Sequence, residues 1–332
     1  MMYSVNSIEK ALKNIGIEYK ILSDGEIAIN SPYVSDTTFD CRINVEKGVF
    51  HDFESDEGGR IEKLIGKLYN CDIEKAKKIL YSGNEIFVNN CNPIKEQIKL
   101  KEINGLPKSF TFEKNKIHSY YFNIAKSFLL KKMVDYSLAK KYNLRWTEKT
   151  SLAFNKKVID LSYRIIIPSF EDGKLVYFQA RDYTGKSKIR YKNPPKEMQS
   201  KKIILPFYDN LKEKDVLFIS EGPWEAIQYS GTYMLGPRIT KYQIEKIKRK
   251  KPSAICIIPD NDETGKVNII KNGEILKNNL NCEVFVLNWW KEFPQYKDPI
   301  EAGINSKEIY NFDFVKFDKI FKLKMLIVGD FV

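Results

Sequence analysis

The alternation of apolar and polar positions changes character several times along the chain. Residues 1–82 open with a short amphipathic helix, pass through strand-like stretches at 26–30, 39–45 and 48–53, and close on helical periodicity at 61–68 and 73–80. A small mixed module is predicted there. Between 83 and 107 the periodicity is lost and Gly83, Asn84, Asn89, Asn90, Asn92, Pro93 and Pro107 collect, the composition of a linker. Residues 108–212 show helical segments at 119–133 and 137–142. Strand signals follow at 163–170 and 175–181 around the turn Glu171-Asp172-Gly173, which predicts a hairpin. From 213 to 312 short apolar strands (216–220, 233–235, 254–259, 283–287) alternate with helices starting at Pro223, Thr240 and Thr264. Alternation of that kind specifies a mainly parallel sheet with helices on both faces, so the fold class is α/β and multi-domain. Pro223 suits a first helical turn, and Thr240 with Gln243 spells a capping box. In the last segment, 313–332, Phe314, Phe317, Phe321 and Leu326 are spaced for an amphipathic helical tail docked on the protein's own core.

Composition narrows the function. The 332 residues are 43% apolar and carry a net charge of +12, so the chain can bury real cores and favours a polyanionic partner, nucleic acid first. No apolar run is long enough to cross a bilayer, and the N-terminus lacks the apolar core of a signal peptide. Five cysteines, odd in number and without a CxxC pair, argue for a reducing, cytoplasmic setting and against a disulfide framework. With only His51 and His118 in the chain, carboxylates must carry any metal.

Acids sit where the parallel strands end. In open parallel sheets, sites form at the C-terminal edge, where loops converge beside helix N-termini. The strand at 216–220 ends in Glu221-Gly222. That at 254–259 ends in Asp260-Asn261-Asp262, with Gly265 following, and after the last come Lys297-Asp298-Pro299 and Glu301. Asp260 and Asp262, two residues apart in extended backbone, point to one side and can hold a hard cation such as Mg²⁺, with Glu221 completing the site. Each acid alone is equally read as a helix cap, since Asp and Glu are favoured at helix N-termini without any chemistry.

The runs Glu221-Gly222-Pro223-Trp224-Glu225-Ala226, Asp260-Asn261-Asp262-Glu263-Thr264-Gly265 and Lys297-Asp298-Pro299-Ile300-Glu301 resemble the Toprim domain shared by bacterial-type primases, topoisomerases and some nucleases. The sequence departs from it in placing Glu225 where many primases have aspartate. Upstream, Arg164-Ile165-Ile166-Ile167-Pro168, Phe178-Gln179-Ala180-Arg181 and Arg190-Tyr191-Lys192-Asn193 resemble the polymerase block that precedes Toprim in primases. Between Lys186 and Lys202 there are seven Lys or Arg and one acid, Glu197, enough positive charge to hold several phosphates. The run 246–251 is read instead as a solvated lysine-rich surface segment. The resemblance implies a primase like the stand-alone primases of large tailed bacteriophages, a DNA-directed RNA polymerase making short primers on single-stranded DNA from nucleoside triphosphates. It implies Mg²⁺ or Mn²⁺ at Glu221, Asp260 and Asp262, with Asp298 as an outer ligand. Arg181, Arg190, Tyr191, Asn193, Lys201 and Lys297 would lie near template or nucleotide, and Glu221 would share a metal or accept the attacking proton. No GxxxxGK[ST] loop is present, so a helicase would be a separate partner.

Residues 31–34 and 50–55, followed by Gly58-Gly59, resemble the primase zinc-binding domain with Ser31, Val34, Asp52 and Ser55 at the ligand positions. A structural zinc site needs thiolate or imidazole ligands, so no zinc is expected and apolar packing around Phe39, Phe50, Phe53 and Leu64 should replace it. Two other functions fit the same residues less completely. A Toprim nuclease would use the same acids, and a non-catalytic single-stranded DNA-binding replication protein would need only the basic, aromatic segment.

Overall fold

In the computed structural model the structure describes residues 3–33, 39–53, 55–69, 71–82, 100–113, 119–155, 157–319 and 321. The chain divides into two compact units, 1–99 and 100–332. The first begins with helix α1 (Val5–Asn14), whose start is capped by Ser4 Oγ accepting from the Ser7 N–H at 3.1 Å. Five strands follow in antiparallel order, β1 (Tyr19–Ile21), β2 (Ile27–Ile29), β3 (Cys41–Asn44), β4 (Val49–Asp52) and β5 (Glu57–Arg60), and helices α2 (Ile61–Tyr69) and α3 (Ile73–Ser82) close the unit. Ile8, Leu12, Ile27, Ile43, Phe50 and Leu64 lie in its core.

Apolar packing does not account for the whole of this module. Phe50 and Leu64 are buried as expected, but Phe53 is 56% exposed and meets His51 edge to face, and half-buried Phe39 lies beneath the Lys20 ammonium. Where the resemblance places metal ligands there is a buried hydrogen-bonded knot instead. The fully buried Asp52 carboxylate accepts from the Ser31 hydroxyl, from Ser55 Oγ at 2.6 Å and from the Ser55 N–H at 3.3 Å. Ser31 and Ser55 in turn accept from the N–H groups of Tyr33 and Glu57, both at 3.2 Å. Val34 and residues 83–99 of the expected linker lie outside the described residues.

The second unit contains β6 (Phe110–Thr111), α4 (Tyr120–Lys131), α5 (Tyr136–Lys141), β7 (Arg145–Trp146), β8 (Ser151–Phe154), β9 (Lys157–Asp160), β10 (Arg164–Glu171), β11 (Lys174–Asp182) and β12 (Tyr191–Lys192). The pair β10–β11 is the expected hairpin, at the centre of an antiparallel sheet of order β12-β11-β10-β7-β6. Its turn residues Asp172 and Gly173 have φ of 54° and 73°, the two left-handed residues of a type I′ turn, and the Asp209 carboxylate accepts both of their N–H groups at 2.9 Å. Residues 100–107, expected in the linker, belong to this unit. Ile103 is buried and donates its N–H to the Leu175 carbonyl at 2.8 Å.

The chain then runs through β13 (Val216–Ser220), α6 (Pro223–Gln228), β14 (Thr232–Tyr233), α7 (Lys241–Lys250), β15 (Ala254–Ile258), α8 (Glu263–Asn279), β16 (Glu283–Asn288) and β17 (Asp313–Lys316). Strand order is β14-β13-β15-β16-β17, parallel throughout except for the last pair. The capping box at Thr240 is present. Two expectations change here. Residues 313–316 form an antiparallel edge strand against β16 rather than the start of a helix, because Phe314 and Lys316 pair in register with Leu287 and Phe285. Phe317 and Phe321 do dock on the core, while Leu326 lies outside the described residues. Lys246, read as solvated, is buried and paired with Glu171 at the hairpin end. Among the described residues no helix is long and apolar enough to cross a membrane, and none of the cysteines forms a disulfide.

Candidate active site

The C-terminal edge of the parallel strands gathers the acids. Glu221 follows β13, Asp260 and Asp262 follow β15, and Lys297 and Asp298 lie in the loop after β16. Close approach of α8 to this edge depends on Gly265. A Cβ there would stand 2.2 Å from the Asp260 carbonyl oxygen and 3.2 Å from Glu221 Oε1, so only glycine lets the helix start beside both acids. Asp262 is the N-cap of α8, with Oδ1 accepting from the Gly265 N–H at 2.8 Å. Its other oxygen accepts from Lys297 Nζ at 2.8 Å, and the same ammonium is 3.3 Å from Asp260 Oδ2. Asp262 thus uses one oxygen as the cap of α8 and presents the other to the Lys297 ammonium.

The electrostatics differ sharply among these groups. Burial, then the charge of Asp260, pushes the Glu221 carboxyl up to about 7, opposed by a long hydrogen bond from Asn268. Asp260 is raised by burial despite Lys297, whereas Asp262 is lowered, first by its hydrogen bond with Lys297. Lys297 is raised in turn, chiefly by Asp262. A second acid pair lies behind the first. Glu225 on α6 is buried and pushed up to about 8 by desolvation and by the nearby charge of Asp298. Asp298 is itself raised by burial and spends Oδ1 on the Glu301 N–H at 2.7 Å. Lys132, at the end of α4, is the cation in whose field both of these acids lie. Clustered acids held against their preferred charge state are a mark of functional sites.

The basic segment meets this edge at one point. Arg181 on β11 pairs in register with Tyr191 on β12, and its guanidinium lies 4.8 Å from the Tyr191 ring centroid and 5.6 Å from that of Phe128. Phe128 in turn meets the ring of Trp224, the residue before Glu225, edge to face at 5.6 Å, and Tyr191 lies in the field of Glu225 and Asp298. Arg164 is buried and holds the segment in place by donating to the carbonyls of Ala180, Ile189 and Arg190. Asn193 accepts from Gln179 Nε2 at 3.1 Å, the Arg190 side chain is exposed, and Lys201 lies in a 3₁₀ turn. Among the described residues none of Arg190, Asn193 and Lys201 bonds an acid of the edge. Lys132 and Asn268, which do reach it electrostatically or by hydrogen bond, carry no signal in the sequence. Glu225 does, four residues after Glu221 at the start of a helix.

The donors are hard carboxylate oxygens, which suit Mg²⁺ or Mn²⁺. Glu221, Asp260 and Asp262 are the residues that would hold such an ion. Among the described residues no three acids converge on one point, because Asp262 is turned partly into its cap and Lys297 lies between the aspartates.

The edge is thus that of an acid-lined parallel sheet with a basic hairpin beside it. No family model matches the chain, and no curated protein matches it. Among solved structures it is similar to the E. coli primase catalytic core, 13% identical over 64% of this chain and 79% of that one, with a TM-score of 0.49. It is also similar to the zinc-binding and RNA polymerase domains of the Aquifex aeolicus primase, 16% identical over 98% of this chain and 90% of that one, with a TM-score of 0.45. A third similar structure is a DnaG primase catalytic domain bound to single-stranded DNA, 13% identical over 63% of this chain and 77% of that one, with a TM-score of 0.47.

Proposed function

We propose that this chain is a primase, a DNA-templated RNA polymerase that joins nucleoside triphosphates into short primers on single-stranded DNA. The observation that carries the reading is the stack in which the Arg181 guanidinium lies over the Tyr191 and Phe128 rings and Phe128 meets Trp224 edge to face, so that the basic Arg-Tyr-Lys-Asn motif reaches the helix that bears Glu225. Positive charge for phosphate then lies beside an acid edge, an arrangement that suits nucleotidyl transfer. Asp260 and Asp262 are the ion-holding residues. Held by those carboxylates, a divalent ion would supply the charge that lowers the pKa of the attacking 3′-hydroxyl and offsets charge on the leaving pyrophosphate. Glu221, with a pKa near the working pH, suits a base that accepts the hydroxyl proton. Arg181, kept in place between Tyr191 and Phe128, supplies fixed positive charge toward phosphate, and Arg190 and Lys201 extend it along the surface. Because this attraction rests on phosphate charge, activity should fall steeply with salt. The N-terminal unit is read as a zinc-binding domain that has exchanged its metal for the Asp52 knot, in a phage-type primase that works with a separate helicase in the cytoplasm of a bacterial host.

Incorporation of labelled ribonucleotides on mixed single-stranded templates with Mg²⁺ or Mn²⁺ tests the proposal. The parent should give short products, and Asp260→Ala and Glu221→Ala should lose at least about a hundredfold in rate. Shortened template without products would replace the primase by a nuclease, and binding without either reaction would leave a single-strand binder.

A further inference from the structure

The loop after β16 is tied to the end of β15 by three hydrogen bonds from one residue. The Asn261 N–H donates to the Lys297 carbonyl at 2.7 Å, and Asn261 Nδ2 donates to the carbonyls of Pro294 at 2.9 Å and Tyr296 at 3.2 Å. Asn261 is the residue between the two aspartates, so this tie fixes the main chain of Lys297 beside them. The Lys297 ammonium then spans both carboxylates, 2.8 Å from Asp262 Oδ2 and 3.3 Å from Asp260 Oδ2. Its side chain is still 54% exposed, so it can swing away without disturbing the core.

We propose that Lys297 is a built-in counter-cation of the Asp260–Asp262 pair that a divalent ion must displace, and that Asn261 is the positioning residue that holds it in place. The inference rests on the proposed function only in taking the pair as ion-binding. Two carboxylates with one ammonium keep a net charge of −1, against −2 for the bare pair. An arriving dication therefore meets a half-neutralised site and must break two charge-assisted contacts before it can use both oxygens. Lys297 thus lowers the affinity of the site for its ion. Once displaced, the ammonium stays tethered within the same loop, where it can face the anionic group that arrives with the ion.

Mn²⁺ binding to the full chain, followed by electron paramagnetic resonance of the free ion, tests this without any need for turnover. Lys297→Ala should bind Mn²⁺ about tenfold more tightly than the parent, a gain that shrinks as salt rises. Lys297→Arg, which keeps the charge, should stay near the parent. Asn261→Ala, which frees the loop, should tighten binding by a smaller factor, about threefold. Tryptophan fluorescence during unfolding, unchanged in Lys297→Ala, would tie the gain to the site and not to a rearranged fold. Unchanged or weaker Mn²⁺ binding in Lys297→Ala would overturn the counter-cation role and leave the primase reading standing. Failure of parent and Lys297→Ala alike to bind Mn²⁺ would overturn the ion-binding reading of the acids, and this inference with it.

Discussion

Two buried acids, one in each unit, show how differently a fold can treat a carboxylate. Asp52 in the N-terminal unit is fully buried and surrounded by donors, two serine hydroxyls and an amide N–H, each of which favours its oxygens. Glu225 in the second unit is equally deep but faces Asp298, and desolvation plus that like charge push it up to about 8. The first arrangement cross-links strands; the second holds charge in a place where the fold alone gains nothing from it. Hydrogen-bond satisfaction is the mark of an acid that serves architecture, and repulsion the mark of a candidate for chemistry.

The sharpest way to break this comparison is to remove the satisfied acid. Asp52→Ala leaves two buried hydroxyls and an N–H without their acceptor, and should destabilise the N-terminal unit by on the order of 3 kcal/mol. Amide exchange of residues 27–65 should accelerate accordingly. All four tryptophans lie beyond residue 100, so fluorescence reads the second unit alone and its unfolding midpoint should stay where it is. Little change in exchange would mean that the knot is dispensable and that apolar packing holds the module.

Removing a repelled acid should act in the opposite direction. The Glu225 carboxyl titrates in the ordinary carboxylate range when unfolded and near 8 when folded. Between those values the folded state binds the extra proton, so stability of the parent should fall as pH rises through the window. Glu225→Gln is free of that penalty. By tryptophan fluorescence in urea its advantage over the parent should grow by about 4 kcal/mol from about pH 5 to about pH 9. An advantage at pH 5 that vanishes at pH 9 would show that the sign of the argument is wrong.

The same contrast explains what was legible in the sequence. Period and capping placed β13, β15, β16 and α6 to α8, because buried parallel strands read as short apolar runs between strong helix signals. The acids at strand ends followed from topology, since Glu221, Asp260 and Asp262 need only the right strands to be neighbours. Edge elements were not legible. The strand Tyr19–Ile21 is largely exposed, Glu57–Arg60 contains two glycines, and Asp313–Lys316 carries the aromatic spacing of a helix, so each is a strand only because a neighbour offers it a ladder. Partners that come from far along the chain were equally hidden. Lys132 reaches the acids from the end of α4, and Lys246 meets Glu171 across 75 residues. The exposed Phe53 is the instructive error, an aromatic assigned to the core on residue type alone although it lies one residue past β4, where the strand's in–out alternation turns it to solvent.

Chelation divides the two units by the smallest effect. In the second, on the proposed reading, stripping the divalent ion with EDTA would remove a ligand of the native state, and at an ion concentration ten times Kd that is worth about 1.4 kcal/mol in the fluorescence-monitored transition. In the first, EDTA should change nothing, because the Asp52 carboxylate already has hydroxyl and amide donors, and a group that accepts from them needs no cation to be buried. Exchange rates of residues 27–65 with and without EDTA should therefore coincide. If EDTA loosened that segment and added zinc restored it, a metal would be doing the work assigned to the knot. Asp52 would then belong with the acids of the second unit and not in contrast to them.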